Sequence, residues 1–159
     1  MLLFGLVFVF NSCSSDSAEG IDDSSQSKLV TDYTYNESEL EVLDLINKHR
    51  VSIGLNALQR VNHISYKSEE HDFYMIANKV VNHNDFVARS ENITSVLGAK
   101  KVGENVAYNY QTSEAAVKAW LESPSHKENI EGDYTHVGVA IKIDAETGKK
   151  YYTNIFAKI

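Results

Sequence analysis

The hydrophobic pattern of the chain begins with an unbroken apolar run, residues 2–10, and continues with a long polar stretch. The run is far shorter than the ~20 residues that a membrane-spanning helix needs, but it has the length of the apolar core of a secretory signal. The Ser- and Asp-rich residues that follow carry only scattered apolar side chains, which is typical of a flexible tether. The pattern therefore predicts a signal over 1–12, a tether over 13–32 and one folded domain over 33–159.

Apolar residues recurring with the period of an α-helix predict five helices in the first part of this domain. Asn36 and Glu39 have the spacing of a capping box and begin the first helix, and Gly54 ends it. The other four helices are predicted over 64–81, 86–97, 114–122 and 124–130. The apolar arc of the first helix is Val42, Leu43, Ile46 and Ile53, and the stripe of the second is Tyr66, Phe73, Ala77 and Val80.

The last part of the domain changes from helical to extended patterning. Val- and Tyr-rich segments predict strands over 102–110, 135–143 and 149–159, the last two joined by a hairpin loop over 144–148. Helices first and a hairpin last indicate an α+β fold. One arginine, Arg50, lies within the apolar arc of the first helix, where a lone charge is expected to have a fixed partner.

Composition narrows the classes of protein that the chain can belong to. The net charge of -7 argues against a nucleic-acid binder, since such proteins present basic surfaces. The chain has one cysteine, Cys13, so an intrachain disulfide and a zinc site with several thiolates are both excluded. The domain must therefore be stabilised by its core.

Cys13 itself indicates a role outside the folded domain. An apolar stretch, a small residue and then a cysteine resembles the lipobox of bacterial lipoproteins, in which the cysteine is lipidated. Two acyl chains on that cysteine provide stable membrane anchoring. We expect an extracytoplasmic protein of the cell envelope, on the periplasmic or the cell-surface side, held to the membrane through Cys13. The alternative is an ordinary signal peptide with an incidental cysteine.

Candidate chemistry lies among six histidines and one isolated carboxylate. Three of the histidines have undistinguished neighbours and are expected to be surface or structural residues: His49, His63 and His71. Of the others, His83 and His126 together with Glu104 could provide a zinc site with one open position. Their spacing is not a local metal motif, although the start of a helix favours the neutral, ligating form of His126.

Four motifs follow one another along the domain: Gly103-Glu104-Asn105-Val106-Ala107, Ala116-Val117-Lys118-Ala119-Trp120, Ser123-Pro124-Ser125-His126-Lys127-Glu128-Asn129-Ile130 and Thr135-His136-Val137-Gly138-Val139-Ala140. In this order they resemble the motifs of the CAP superfamily, which includes cysteine-rich secretory proteins, antigen 5 and pathogenesis-related proteins, and in particular those of its bacterial branch. The resemblance extends over about residues 39–159. It implies an α-β-α sandwich, in which helices flank a small antiparallel sheet.

The resemblance also implies a cleft lined by two histidines and two acidic residues. His83, Glu104 and His126 match three of these positions, and Ser123 stands where the second glutamate is found in eukaryotic members. Asn84 and His136 are expected near the same cleft. These residues imply a site for a divalent metal, zinc or magnesium.

Three functions are compatible with this site. The first, which we favour, is a binding module whose cleft holds a divalent metal or a small or lipid ligand. The second is a metal-assisted hydrolase in which His83 and His126 are ligands and Glu104 is the base. The third is a structural or interaction domain, in which Glu104 is a buried carboxylate tied to backbone amides.

Overall fold

The computed structural model describes residues 28–159, so the signal, Cys13 and most of the predicted tether lie outside the described part of the chain. The elements follow one another as α1 (Glu37–Ser52), β1 (Gln59–Arg60), α2 (Asn62–Asn78), α3 (Phe86–Leu97), β2 (Lys101–Tyr108), α4 (Ser113–Glu122), α5 (Pro124–Ile130), β3 (His136–Ile143) and β4 (Lys150–Lys158). Within residues 28–159, no helix combines the length and the apolar character needed to span a bilayer.

The four strands form one mixed sheet in the order β1-β3-β4-β2. β4 pairs antiparallel with β3, as the hairpin pattern predicted, and also pairs antiparallel with β2. β1 pairs parallel with β3, so the expectation of a wholly antiparallel sheet was wrong in this detail. A strand of two residues between two helices has too few positions to show an alternating pattern, so sequence periodicity could not predict it.

Helices cover both faces of the sheet, which confirms the α+β sandwich. Alternate residues of a strand point to opposite faces, so each face has a core cluster of its own. The cluster shared with α1, α4 and α5 includes Val42, Leu43, Ile46, Val117, Trp120, Ile130, Val137, Val139, Tyr152 and Phe156. The cluster shared with α2 and α3 consists of Ile64, Ile93, Ala99, Ile155 and Ala157.

The first helix forms for the local reasons that the sequence indicated. Asn36 accepts a hydrogen bond from the Glu39 N–H, and the Glu39 carboxylate accepts one from the Asn36 N–H, which completes the capping box. The buried arc is confirmed except for Ile53, which is 49% exposed. The helix has already ended at Ser52, and Gly54 with φ of +83° turns the chain away from the core.

The prediction for the core face of α2 was wrong. Phe73 is 55% exposed. The buried residues are instead His63, Ile64, Ser65, Ser68, His71, Asp72 and Met75. Most of this face is polar because it packs against polar groups of the sheet: the Ser65 hydroxyl accepts from the Val139 N–H, and the Thr153 hydroxyl donates to Asp72. Apolar periodicity cannot identify a face whose buried side chains are hydrogen-bonded.

Residues 28–35, which we call the strap, precede α1; residues 28–32 lie against α2 and α3, and Tyr33 and Tyr35 contact side chains that bind the edge of β3. The Tyr33 hydroxyl donates to Glu39, which in turn accepts from the Ile141 N–H of β3. The Tyr35 hydroxyl is 2.8 Å from the hydroxyl of Ser65. Side chains of α1 and α2 thus satisfy donors along the open edge of β3, and the strap holds those side chains in position.

Candidate functional site

Glu104 lies in β2, the edge strand of the sheet, and its side chain is only 1% exposed. It pairs across the sheet with Ile155, and so points to the face that α2 and α3 cover. A carboxylate in this position needs partners that replace water. The backbone carbonyl of Glu104 accepts a hydrogen bond from the side chain of Asn129 of α5, which belongs to the opposite helical layer.

The main partner of Glu104 is Arg89 of α3. The guanidinium forms a bidentate ion pair with the carboxylate, with Nε 2.9 Å from Oε2 and Nη2 2.9 Å from Oε1. A third nitrogen, Nη1, donates to the carbonyl of Asn84 at 2.7 Å. Such bidentate charge-assisted hydrogen bonds are strong and directional. They connect α3, the loop before it and β2.

His83 is the second partner of Glu104. We use the name Glu104 array for Glu104 together with Arg89, His83 and His71, and His83 is the member that reaches solvent. Its Nδ1 is 2.8 Å from Glu104 Oε1, and its side chain is 50% exposed. The carboxylate favours the tautomer with a proton on Nδ1, which leaves Nε2 for a ligand. Asn84 steadies the same loop, because its amide donates to the hydroxyl of Tyr74.

His126 approaches β2 from the other helical layer. Its Nδ1 is 2.8 Å from the hydroxyl of Ser123, and its backbone carbonyl accepts from Asn105 of β2. Ser123 is the N-cap of α5 but caps no backbone N–H, since its hydroxyl is directed to the imidazole. Burial, and secondarily the nearby His83, lowers the pKa of His126 and so favours its neutral form.

A cleft of about 260 Å³ extends from His126 along the outer side of β2. Its wall is mainly apolar and aromatic, and consists of Val106, Ala107, Tyr108, Tyr110, Ala119, Trp120, Ser123 and His126. The indole N–H of Trp120 is already donated to the Val106 carbonyl. The polar groups that this cleft offers to a ligand are therefore concentrated at the Ser123–His126 end.

The predicted metal ligands fit a divalent ion only in part. Both oxygens of Glu104 already accept hydrogen bonds from Arg89, whose positive charge offsets that of the carboxylate, so Glu104 is less suited to be a direct metal ligand. Over residues 28–159, no group of three or more His, Cys, Asp or Glu side chains is arranged to hold an ion. The two imidazoles remain suitable nitrogen donors, with Glu104 as an outer carboxylate behind His83.

His136, which was expected beside the cleft, begins β3, and β4 lies between it and β2. Its Nδ1 is 2.8 Å from the Thr135 hydroxyl. It lies towards the β1 side of the sheet, where Gln59 is its pairing partner. Burial lowers the pKa of His136. These contacts do not include the Glu104 array.

Sequence reasoning missed two members of the array, Arg89 and His71. Arg89 lies four residues before the buried Ile93 of α3, and the argument that singled out Arg50 would also have indicated it. His71 was grouped with the surface or structural histidines; it is buried, donates from Nε2 to the Asn82 carbonyl, and lies 4.0 Å from Glu104. A histidine on a helix gives no sequence signal for such a contact.

Comparison with known proteins identifies relatives for most of the domain. The sequence model of the cysteine-rich secretory protein family, CAP, matches residues 43–156. The uncharacterized membrane protein YlbC of Bacillus subtilis is 32% identical over 130 residues, 76% of this chain and 34% of that protein. The uncharacterized protein YkwD of the same organism is 30% identical over 105 residues, 64% of this chain and 41% of that protein. The chain thus spans less than half the length of either relative.

Solved structures share the fold at low sequence identity. An outer surface protein of Borrelia burgdorferi has a TM-score of 0.69 at 19% identity, covering 81% of this chain and 98% of that one. An extracellular protein of Bacillus anthracis that contains an SCP domain has a TM-score of 0.68 at 23% identity, covering 77% and 40%. These likenesses support the α-β-α architecture.

Proposed function

The chain belongs to the cysteine-rich secretory protein (CAP) family, and from that premise we propose that it is an extracytoplasmic binding module anchored to the cell envelope. Its site lies at the β2 edge: His126 lines the cleft, and His83 contacts Glu104 of the same strand from the other helical layer. The observation that carries the proposal is that each imidazole is held by Nδ1, to Glu104 and to Ser123 respectively, which leaves Nε2 for a ligand.

The histidine pair favours a particular class of metal ion. Neutral imidazole suits zinc and similar transition ions, whereas magnesium prefers carboxylate, carbonyl and water oxygens. Since both oxygens of Glu104 accept hydrogen bonds from Arg89, we expect zinc rather than magnesium at this site. A bound zinc ion would supply an open coordination position for a ligand group at the polar end of the cleft.

The cleft also restricts the organic part of a ligand. A volume of about 260 Å³ with aromatic walls suits a small apolar or planar group. A ligand with such a group and one polar end would place the apolar part against Tyr108, Tyr110 and Trp120. Its polar end would meet His126.

The hydrolase alternative requires Glu104 to accept a proton from water. Its oxygens instead face Arg89 and His83, and its side chain is 1% exposed. A general base must be within hydrogen-bonding reach of the water it activates. The structural alternative is favoured by the burial of Glu104, although the partners are the side chains of Arg89 and His83 rather than backbone amides. In our proposal Glu104 orients His83 and stabilises the fold.

Isothermal titration calorimetry with zinc and with magnesium tests the binding site. We expect zinc to bind the wild type, and His83→Ala/His126→Ala to lose at least about tenfold in zinc affinity, as expected when ligands of a metal site are removed. Magnesium is expected to bind neither protein. His49→Ala is the matched control, because His49 is a partly exposed histidine beside Glu131 and should leave zinc affinity unchanged.

Melting curves of the three proteins separate loss of the site from loss of the fold. Equal zinc affinity in the wild type and in the folded double variant would contradict the histidine-pair site. If zinc does not bind the wild type, the metal part of the proposal fails and the structural alternative gains support. Turnover of an ester or peptide that depends on zinc would instead favour the hydrolase.

Cell fractionation tests the proposed anchor at Cys13. Cys13→Ser removes the sulfur that a thioether-linked lipid requires, so we expect the protein to move from the membrane fraction to the soluble fraction. Ser12→Ala keeps the cysteine and should remain with the membrane. Membrane association of Cys13→Ser equal to that of the wild type would contradict lipidation, and recovery of both proteins in the soluble fraction would favour the ordinary signal peptide.

A further inference from the structure

The N-terminal half of the strap, residues 28–32, is attached to the domain through a buried histidine that the cleft does not use. His63 of α2 is 1% exposed. Its Nδ1 accepts a hydrogen bond from the backbone N–H of Val30 at 3.2 Å, and its Nε2 is 2.8 Å from Asn92 Oδ1 of α3. We propose that His63 is an acid-sensitive latch that holds residues 28–32 on the domain when neutral and releases them when protonated.

The contact with Val30 determines the protonation state of the docked form. A backbone N–H can only donate, so Nδ1 must be without a proton while the strap is bound. The imidazole is therefore neutral, with its proton on Nε2, where it donates to Asn92. A second proton could go only to Nδ1, where it would face the Val30 N–H donor to donor, and the acceptor would be lost.

The charged neighbours of His63 oppose one another, since Lys67 lowers its pKa and Glu70 raises it. On α2, Lys67 and Glu70 lie nearby and pair with each other at 2.7 Å, while Tyr66 is neutral near pH 7. The strap adds one charge of each sign, Lys28 and Asp32, and α3 adds the uncharged Asn92. Burial thus remains the largest influence, and it lowers the pKa of His63.

The packing beneath residues 28–32 is open enough to permit release. A cavity of about 540 Å³ lies between this segment and the helices α2 and α3, and Leu29 is 48% exposed. One further hydrogen bond, from the Asn62 side chain to the Thr31 carbonyl, holds the segment. Beyond it, Tyr33 and Tyr35 are attached separately to Glu39 and Ser65. Release is therefore confined to residues 28–32.

The direction of the pH dependence follows from the protonation of His63 in the docked and in the released form. The docked form excludes the proton, whereas the released form takes it up near the ordinary histidine pKa of about 6.5. Docking is thus complete above that pH and weakens as the pH falls below it. At pH 5.0 the released form gains about tenfold to thirtyfold relative to pH 7.5. Release would detach residues 28–32, up to about 17 Å of extended chain, from the domain.

Hydrogen exchange of the Val30 amide in the full chain, measured by NMR, tests the latch. After correction for intrinsic exchange, its protection is expected to fall at least about tenfold between pH 7.5 and pH 5.0. Amides of β4 should keep their protection. His63→Asn retains an acceptor at the Nδ1 position but does not titrate, so its strap should stay protected at both pH values.

Two further variants exclude an indirect effect. His63→Phe keeps a ring but removes the acceptor, so the Val30 amide should be unprotected at both pH values. His49→Asn removes a partly exposed histidine elsewhere and should keep the wild-type response. The same pH response in His63→Asn, or wild-type protection in His63→Phe at pH 7.5, would overturn the proposal. A directly titrated pKa of His63 at or above 6.5 in the docked wild type would also overturn it.

Discussion

Arg89→Met is expected to lower the free energy of unfolding by about 3–5 kcal/mol, the cost of leaving a buried charge without its partner. Methionine replaces the aliphatic part of arginine but none of its hydrogen bonds, so Glu104 would keep a single side-chain partner, His83. Urea denaturation measures the loss, provided that the m-value is unchanged.

Two controls show whether the effect comes from the unpaired carboxylate. Arg89→Met/Glu104→Gln removes both charges and is expected to recover part of the lost stability, as in a double-mutant cycle with coupled sites. Lys118→Met breaks an ion pair whose two side chains are 75% and 67% exposed, and should leave the urea midpoint unchanged. A loss below about 1 kcal/mol in Arg89→Met would show that the pair contributes little.

Arg50→Met is expected to destabilise the domain by at least about 3 kcal/mol, because several buried carbonyl groups would lose their donor. Arg50 is fully buried and donates to the backbone carbonyls of Asn56, Ile130 and Gly132 at 2.7–2.9 Å. These bonds connect the end of α1 to the segment after α5, the helix that carries His126. Thermal and urea denaturation measure the change.

Substitution by lysine tests the geometry of the Arg50 contacts. Arg50→Lys keeps the charge but replaces a planar set of donors with a single ammonium group. Its free energy of unfolding should therefore lie between those of the wild type and Arg50→Met. Lys48→Met, two residues away on the exposed side of α1, should leave stability unchanged, since the Lys48 side chain is 70% exposed. Equal stability of Arg50→Met and the wild type would contradict the proposed role.

Local signals in the sequence were sufficient for much of the fold. The capping box at Asn36, the bounds of α3 and the proline that begins α5 depend on residues within one or two turns of each other. The fixed partner expected for Arg50 is confirmed, although it consists of backbone carbonyls and the side-chain oxygen of Asn56 rather than of an acidic residue. These features are predictable because their physical causes are short-range.

The same reasoning was less successful where burial does not follow hydrophobicity. The exposed Phe73 and the buried His71 and Asp72 are neighbours on α2. The contacts that decide their burial come from β4 and from the loop before α3, at Thr153 and Asn82. No pattern within the helix could show that polar groups of distant segments would satisfy these side chains.

For this protein the sequence alone determined the order and type of most elements and the family, and it indicated His83, Glu104 and His126 as candidate site residues. The tertiary structure decided what those residues can do. It brought Arg89 into a hydrogen-bonded ion pair with Glu104, fifteen residues away in the chain, and it brought the hydroxyl of Ser123 to the imidazole of His126. It also tied the end of the tether to His63. Protonation and ligand binding depend on the partners that replace water, and only the packing of helices against the sheet specifies those partners.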